Sequence, residues 1–457
     1  MKRDDFRYVE MAGLLRTEIM SGYLRPGQYL LPEKELCQKY AISRNSLRQA
    51  LELLTEEGLL VKMRGRGNKV ADQLPAEPYG TNTLVVLSPY RSAFAEDALP
   101  ILISLFKQQF PKVEVKLLYT GYLIENIMHD LTGLGLKPDI VLAWDRHFAE
   151  FESRDFVPVD DLISELSDIP EKLIGTFRKN EQLYAVPATY SPIFLACNPR
   201  LFESAGIHMP IEGWSLEQFV QAAKELTRDD DRDGMNETYG FGLSSSIIRW
   251  PVLAMKYSYN KRSHANRSVY LPADGLRDAL DFMRNLIYKE RICPVTEVGD
   301  WAFLNELFED GQLAMILTTT LATNMKRQQF PVRMLPLPKR SGGSKGSLLI
   351  ANGLMISRLS PNMDLAKRFL RFAADIEFQK RMARETGFLS IYDSVNRAVW
   401  SPYERNALGI HADHLEESHF IFDLFPNLGK PQEMERSMKK FWAGLESSEQ
   451  LVNRLFQ

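Results

Sequence analysis

Residues 73–83, QLPAEPYGTNT, are rich in proline, glycine and small polar residues and carry no apolar periodicity, which is the signature of a linker. The chain is therefore expected to fold as a small unit over 1–72 and a large one over 84–457. Its 457 residues point the same way, since a compact domain usually holds roughly 100–200. The two parts differ in charge. Residues 1–72 hold 13 Lys and Arg against 10 Asp and Glu, whereas the whole chain has 56 against 59, so the part beyond the linker is acidic. A small basic unit ahead of a large acidic one points to nucleic acid for the first unit only.

Hydrophobic residues make up 45% and charged residues 25% of the chain, which excludes disordered, collagen-like and coiled-coil classes. Cys37, Cys197 and Cys293 are three in number and far apart; they build neither a disulfide framework nor a cysteine zinc site, and they suit a reducing compartment. The start MKRDDFRYVEMAGLL lacks the apolar core of a secretory signal, and no window reaches the roughly 20 apolar residues that span a bilayer. A cytoplasmic protein, neither exported nor membrane-bound, is expected.

In the small unit, Tyr8, Ala12, Leu15 and Ile19 recur at the spacing of one helix face. After a turn at Arg25-Pro26-Gly27, Pro32 and the acidic pair Glu33 and Glu35 open a short second helix, where the helix dipole favours negative charge. Ser43 is a good cap for a third helix, whose apolar set Leu47, Ala50, Leu51 and Leu54 falls at i, i+3, i+4 and i+7. Its other face carries Arg44, Asn45, Ser46, Arg48 and Gln49, side chains suited to base edges and phosphates. Two short strands then flank the basic, glycine-rich turn Arg64-Gly65-Arg66-Gly67-Asn68, and glycine permits close approach to a phosphate or the minor groove.

This segment resembles the GntR-type winged helix-turn-helix from about Phe6 to Ala71, through LPEKELCQKY, ISRNSLRQALELLTEEGLL and RGRGNKV. The resemblance implies contact with double-stranded operator DNA by Lys34, Arg44, Ser46, Arg48, Gly65 and Arg66. Gln49 joins them from its position on the polar face, and Arg64 from the run of wing charges.

The large unit opens with the apolar strand Leu84-Val85-Val86-Leu87, a helix over about 94–110, the alternating strand 113–117, a second helix and the strand Pro138-Asp139-Ile140-Val141-Leu142-Ala143. Strand and helix in alternation predict a parallel sheet whose ligands sit beyond the carboxyl ends of the strands, here Ser88 to Tyr90 and Trp144-Asp145. Neither crossover contains G-x-G-x-x-G or a P-loop, so no nucleotide cofactor is expected. Further along, aromatic residues stand beside amides, hydroxyls and carboxylates at Asn180 to Pro187, Tyr190, Gly213 to Ser215 and Trp250. Flat rings pack on the C–H face of a sugar while polar groups hold its hydroxyls; any one of these aromatics taken alone also reads as core or surface packing.

Residues 84–400 resemble the sugar-type (family 1) extracellular solute-binding proteins of ABC importers. The matching stretches include PDIVLAWDRHFAEFESRDFVPVDDLI, LYAVPATYSPIFLACNPRLFESAGI, GWSLEQFVQAAKELT, DDDRDGMNETYGFGL, FLNELFEDGQLAMILTTT and LPLPKRSGGSKGSLLIANGLMIS. The resemblance implies two α/β lobes of the periplasmic-binding-protein type closing on a solute. Carried over by position, the cleft residues are Ser88, Tyr90, Trp144, Asp145, Tyr190, Trp214, Trp250, Thr318, Thr319, Thr320, Asn352 and Gly387. A DNA-binding unit stands where the family has its signal peptide and lipid-attachment cysteine, so an importer subunit is not expected. Beyond about Trp400 the likeness weakens.

Two other patterns could hold metal. Asp229, Asp231, Asp233 and Gly234 have the spacing of a calcium loop, but position twelve is Gly240 where a carboxylate is needed, so a polar turn capped by acids is the alternative. His411, His414 and His419 could share one side of a helix or simply face water. No catalytic motif such as G-x-S-x-G or H-E-x-x-H occurs, and no enzyme activity is expected. The resulting expectation is a homodimeric, cytoplasmic transcription regulator, its operator binding controlled by a sugar or oligosaccharide in the large domain. The alternative is a DNA-binding regulator whose large domain docks a protein partner.

Overall fold

The structure is a computed structural model. It describes the chain except residues 1–7, 9–10, 13–14, 16–18, 20–23, 25, 41, 64–65, 73–82, 90–91, 121–130, 132–135, 163–167, 211–212, 259–270, 296–300, 322–328, 426–430 and 456–457. It divides into two compact units: one of residues 1–90, 109–141 and 356–367, the other of residues 91–108, 142–355 and 368–457.

The first unit begins with a winged helix. Ser43 caps the helix Arg44–Glu56 by accepting the Ser46 N–H, and Leu47, Ala50, Leu51 and Leu54 are its buried stripe. They join a cluster with Met11, Ala12, Leu15 and Ile19 on one side and Leu36, Leu60 and Val70 on the other. The strands Leu60–Met63 and Gly67–Val70 pair antiparallel, Met63 opposite Gly67, and form the wing. A bridge between Tyr29 and Lys69 adds a third chain segment to it. A left-handed Gly27, at φ 81°, turns the backbone so that its N–H reaches Val70 O; such a φ suits only glycine without strain.

The same unit contains the parallel strands. Thr83–Pro89 is buried along its whole length and pairs in parallel with Glu114–Thr120 on one side and with the start of Ile140–Trp144 on the other. Thr83, which reads as linker, opens the first strand. Asp139 ties the strand ends together: its carboxylate accepts the Val85 N–H at 2.7 Å and the Ser360 hydroxyl at 2.6 Å. At 1% exposure, burial raises its pKa above the usual carboxylate range against the pull of those bonds.

The second unit is mixed. The strands Met315–Thr318, Phe194–Cys197 and Arg333–Leu335 form an antiparallel sheet with Phe194–Cys197 central. A second antiparallel ladder joins Ala185–Pro192 to Leu349–Ser357, placing Tyr190 opposite Ala351 and Thr189 opposite Asn352. The core around the three-stranded sheet takes in helices Leu216–Leu226, Pro251–Tyr257 and Ala273–Tyr288. The tail beyond Trp400 belongs to this core, because Phe441, Trp442, Leu451 and Val452 pack in it.

Replacing Asp139 with Ala leaves the Val85 N–H buried without an acceptor, an omission that costs about 1–3 kcal/mol. The Asp139→Ala chain is expected to unfold at lower urea than its parent, and an unchanged midpoint would deny Asp139 this role.

Candidate functional site

On the winged helix, Arg44, Asn45, Arg48 and Gln49 are exposed along the first two turns of Arg44–Glu56, opposite its buried stripe. Lys34 is exposed on the preceding helix and Arg66 on the wing, whereas Arg64 and Gly65 lie outside the described residues. Ser46 corrects the sequence reading. It is 2% exposed, and its hydroxyl lies 2.8 Å from that of Ser43, so it braces the helix start and does not share the polar face. Arg48 is held by Glu33 at 3.0 Å, both side chains being solvent-accessible; a pair of that kind is worth about 0–1 kcal/mol.

In the second unit, Asp145, Tyr190, Thr320 and Asn352 are joined by one set of bonds. The Asp145 carboxylate accepts the Ala351 N–H at 2.9 Å, and Ala351 lies opposite Tyr190 in the ladder. Next to Tyr190, the Ser191 hydroxyl accepts the Thr320 N–H at 2.9 Å. Thr189 donates to Leu389 O, and a bridge from Tyr190 to Leu389 brings in the segment after Gly387, a left-handed helix end at φ 75°. Thr318 and Thr319 are buried beside Thr320. The Thr319 and Thr320 hydroxyls and Asn352 Oδ1 are buried without a hydrogen-bond partner, which is rare in a folded protein.

Trp144 and the helix Asp145–Glu150 extend this group. The His147 ring stacks on Trp144 at 4.9 Å and 18°, and the Arg146 guanidinium lies 4.8 Å from the Trp144 ring centre. Burial, then Arg146, pushes the His147 pKa down to about 3, so the ring is neutral at pH 7. Burial also drives Asp145 up to about 7, against the Ala351 N–H and Arg146, which favour its ionised form.

Other expected cleft residues lie elsewhere. Trp250 is 0% exposed and packs in the core near Phe425 and Trp442; its neighbour Arg249, absent from the sequence-based set, is the informative residue. Trp214 donates Nε1–H to Pro336 O at 2.8 Å and lines a separate cavity of about 540 Å³ with Lys256, Lys339, Arg340 and His414. Ser88 is buried in the first unit and donates to Pro89 O within its own strand; Tyr90 is outside the described residues.

The acidic loop gathers Asp229, Asp231 and Glu237, each offering an oxygen within 4.8 Å of the others. Asp233 is not in that group, and Glu237 takes its place. A Cβ on Gly240 would sit 2.0 Å from Ala223 O, so position twelve has no room for the missing carboxylate. His411, His414 and His419 form no such group among the described residues: His411 stands just ahead of the helix Ala412–Glu416 with its ring against that of His414, and His419 is buried beside Leu348.

The family of bacterial extracellular solute-binding proteins matches residues 87–380, and bacterial regulatory proteins of the gntR family match residues 7–70. An ABC substrate-binding protein from Listeria monocytogenes, solved in complex with cycloalternan, superposes with a TM-score of 0.67 at 16% identity over 82% of this chain and 96% of that one. The arabinose metabolism transcriptional repressor of Geobacillus stearothermophilus is 31% identical over 88 residues, 19% of this chain and 24% of the repressor. The transcriptional repressor NagR of Bacillus subtilis is 41% identical over 64 residues, 14% of this chain and 26% of NagR. The chain thus spans about a quarter of the length of the curated relatives it matches. Among the described residues no helix is long and apolar enough to cross a membrane.

Asp145 makes the site testable by pH. Between its ordinary value of about 3.9 and about 7, the folded chain keeps a proton that the unfolded chain releases. Its contribution to stability is complete below the lower value and is lost as pH rises through the upper one. Asn at this position keeps an acceptor for Ala351 and cannot titrate. The urea midpoint of Asp145→Asn is therefore expected to change less between pH 4 and 7 than the parent's, and coincident profiles would show that Asp145 ionises as an ordinary carboxylate. The matched residues and the fold together place the chain in the bacterial extracellular solute-binding protein family, with a GntR-type winged helix-turn-helix ahead of the solute-binding domain.

Proposed function

We propose that the chain is an effector-responsive transcription regulator: the winged helix binds operator DNA, and the solute-binding domain takes a saccharide that changes DNA affinity. The observation that carries this reading is the presence of both parts on one chain. The regulator works in the cytoplasm as a homodimer whose two winged helices read half-sites about one helical turn apart.

On the DNA side, Arg44, Arg48 and Gln49 read base edges or phosphates, while Lys34 and the wing residues Arg64, Gly65 and Arg66 hold the backbone. Glu33 is a weak, displaceable partner that keeps Arg48 extended until DNA supplies a better acceptor. On the effector side, Trp144 supplies the aromatic surface that His147 and Arg146 leave uncovered. The unpartnered Thr319, Thr320 and Asn352 atoms supply hydrogen bonds for hydroxyls, with Asp145, Tyr190 and Thr318 around them. Solved proteins of the same fold hold carbohydrates such as cycloalternan and maltotriose, which supports this chemistry. The acidic loop at Asp229, Asp231 and Glu237 is a candidate weak cation site. The reading assigns no catalytic residue.

Arg48→Ala is expected to weaken operator binding by about 1–3 kcal/mol and relax specificity at one base position, whereas Lys34→Ala should weaken all sequences alike and lower the salt slope by about 1. Fluorescence anisotropy with labelled operator at several salt concentrations reads both, and unchanged affinity removes the residue from the interface. A saccharide that raises the unfolding temperature of the whole chain should also shift its DNA affinity by about 5–150-fold, the usual scale of coupling between sites. A bound saccharide with no effect on DNA would deny the coupling.

A further inference from the structure

Arg249 is 4% exposed, yet no described carboxylate pairs with it; Glu435, the acid bound at the same turn, accepts from the Ser246 hydroxyl and the Ile247 N–H. Of the five N–H donors on a guanidinium, Nη1 donates to Ile248 O at 3.1 Å, and Nε is buried without a partner. Among the described residues no carboxylate lies within ion-pair distance of it. The surface that covers it is the indole of Trp301, 4.5 Å from ring centre to guanidinium carbon. Among the described residues, the charged group that acts on it is another cation, Arg146, which adds to the effect of burial; together they lower its pKa to about 9.

Arg146 lies over Trp144 in the same way, so two guanidinium groups each rest against an indole, and the charge of one acts on the other. The other titratable groups on the Arg146 helix leave the charge of Arg249 unanswered. His147 is neutral, and Asp145 is buried with its carboxylate turned to the Ala351 N–H. Glu150, one turn further along, is not among the charges that act on Arg249. A buried cation without a counter-charge is strongly unfavourable. Proteins avoid that arrangement unless a ligand completes it, and planar arginine forks fit carboxylate and phosphate oxygens in pairs.

We propose that Arg249, with Arg146 beside it, is an anion-recognition point, and that the effector is an acidic saccharide such as a uronate or a phosphorylated sugar. This rests on the reading that the group around Trp144 and Asp145 is a saccharide site. The hydroxyls and amide nearby recognise the sugar ring, and the arginines recognise the acid it carries. Carboxylate and phosphate share this chemistry and are separated by experiment.

The test uses the whole chain and two variants, Arg249→Gln and Arg249→Met, the second keeping apolar cover for Trp301. Without ligand, the Met chain is expected to melt higher than the parent, because an uncompensated buried charge is gone; a clear loss would mark Arg249 as structural and overturn the proposal. Unfolding is then followed at fixed ionic strength with inorganic phosphate, galacturonate and glucose 6-phosphate, beside galactose and glucose. An anion that raises the parent's midpoint should bind both variants about tenfold or more weakly, the worth of a hydrogen bond to a charged group. Galacturonate alone assigns a carboxylate, and the phosphates alone assign a phosphoryl group. Equal responses to every anion in parent and variants overturn the anion point. If galactose or glucose still binds all three chains, the saccharide reading survives that failure.

Discussion

The antiparallel ladder between Ala185–Pro192 and Leu349–Ser357 is the constraint on which the site depends. Both strands are almost wholly buried, so their backbone groups must pair with each other or with neighbours. That pairing sets Tyr190 against Ala351 and Thr189 against Asn352. The ladder residues then bond outward in fixed directions: Ser191 to the end of strand Met315–Thr318 through Thr320, and Ala351 to Asp145. The same ladder that satisfies the backbone leaves side-chain atoms unpaired at Thr319, Thr320 and Asn352. On the proposed reading these atoms are the hydrogen-bonding groups offered to the effector.

Much of the fold is legible in the residue pattern, for identifiable reasons. The helix Arg44–Glu56 has one buried and one exposed face, and a 3.6-residue period reports that directly. The strand Thr83–Pro89 is an apolar run bounded by polar segments, which is how a strand buried on both faces reads. The ladder strands are harder to see. AVPATYSP and LIANGLMIS are buried on both faces yet rich in small and polar residues, so neither alternation nor a continuous apolar run marks them. The tail after Trp400 is broken into short helices whose core residues are spaced too widely to show a period.

The site is legible only in part. Asp145 and Trp144 are visible from the end of a parallel strand, where ligands gather, and the structure places them with Tyr190, Thr320 and Asn352. Trp250 stands out in the sequence ahead of Arg249 because an aromatic ring suggests a sugar face. Yet IIRWPVLAM is otherwise apolar, and one arginine inside such a run is the rarer event: a buried tryptophan is ordinary, a buried arginine is not. Helical spacing alone sets Ser46 on the polar face. A serine three residues after a capping serine can bond back to it, and that local contact is invisible to periodicity. Glu237 escapes the calcium template because it enters from beyond the turn at Gly234.

For the proposed regulator, the effector must favour one state over another, and only a difference in its affinity for the two can supply that preference. Asp145 and Arg249 both sit where burial opposes their charge. A ligand that bonds to them stabilises the conformation in which those bonds can form. The proposed path to the winged helix begins on the strand Ile140–Trp144, which ends at the aromatic wall of the site. Just ahead of that strand, Leu136 packs against the core of the winged helix. Strands transmit displacement along their length because their hydrogen-bond register cannot slip by part of a residue. On this reading the effector acts first through a displacement of Trp144 along its own strand.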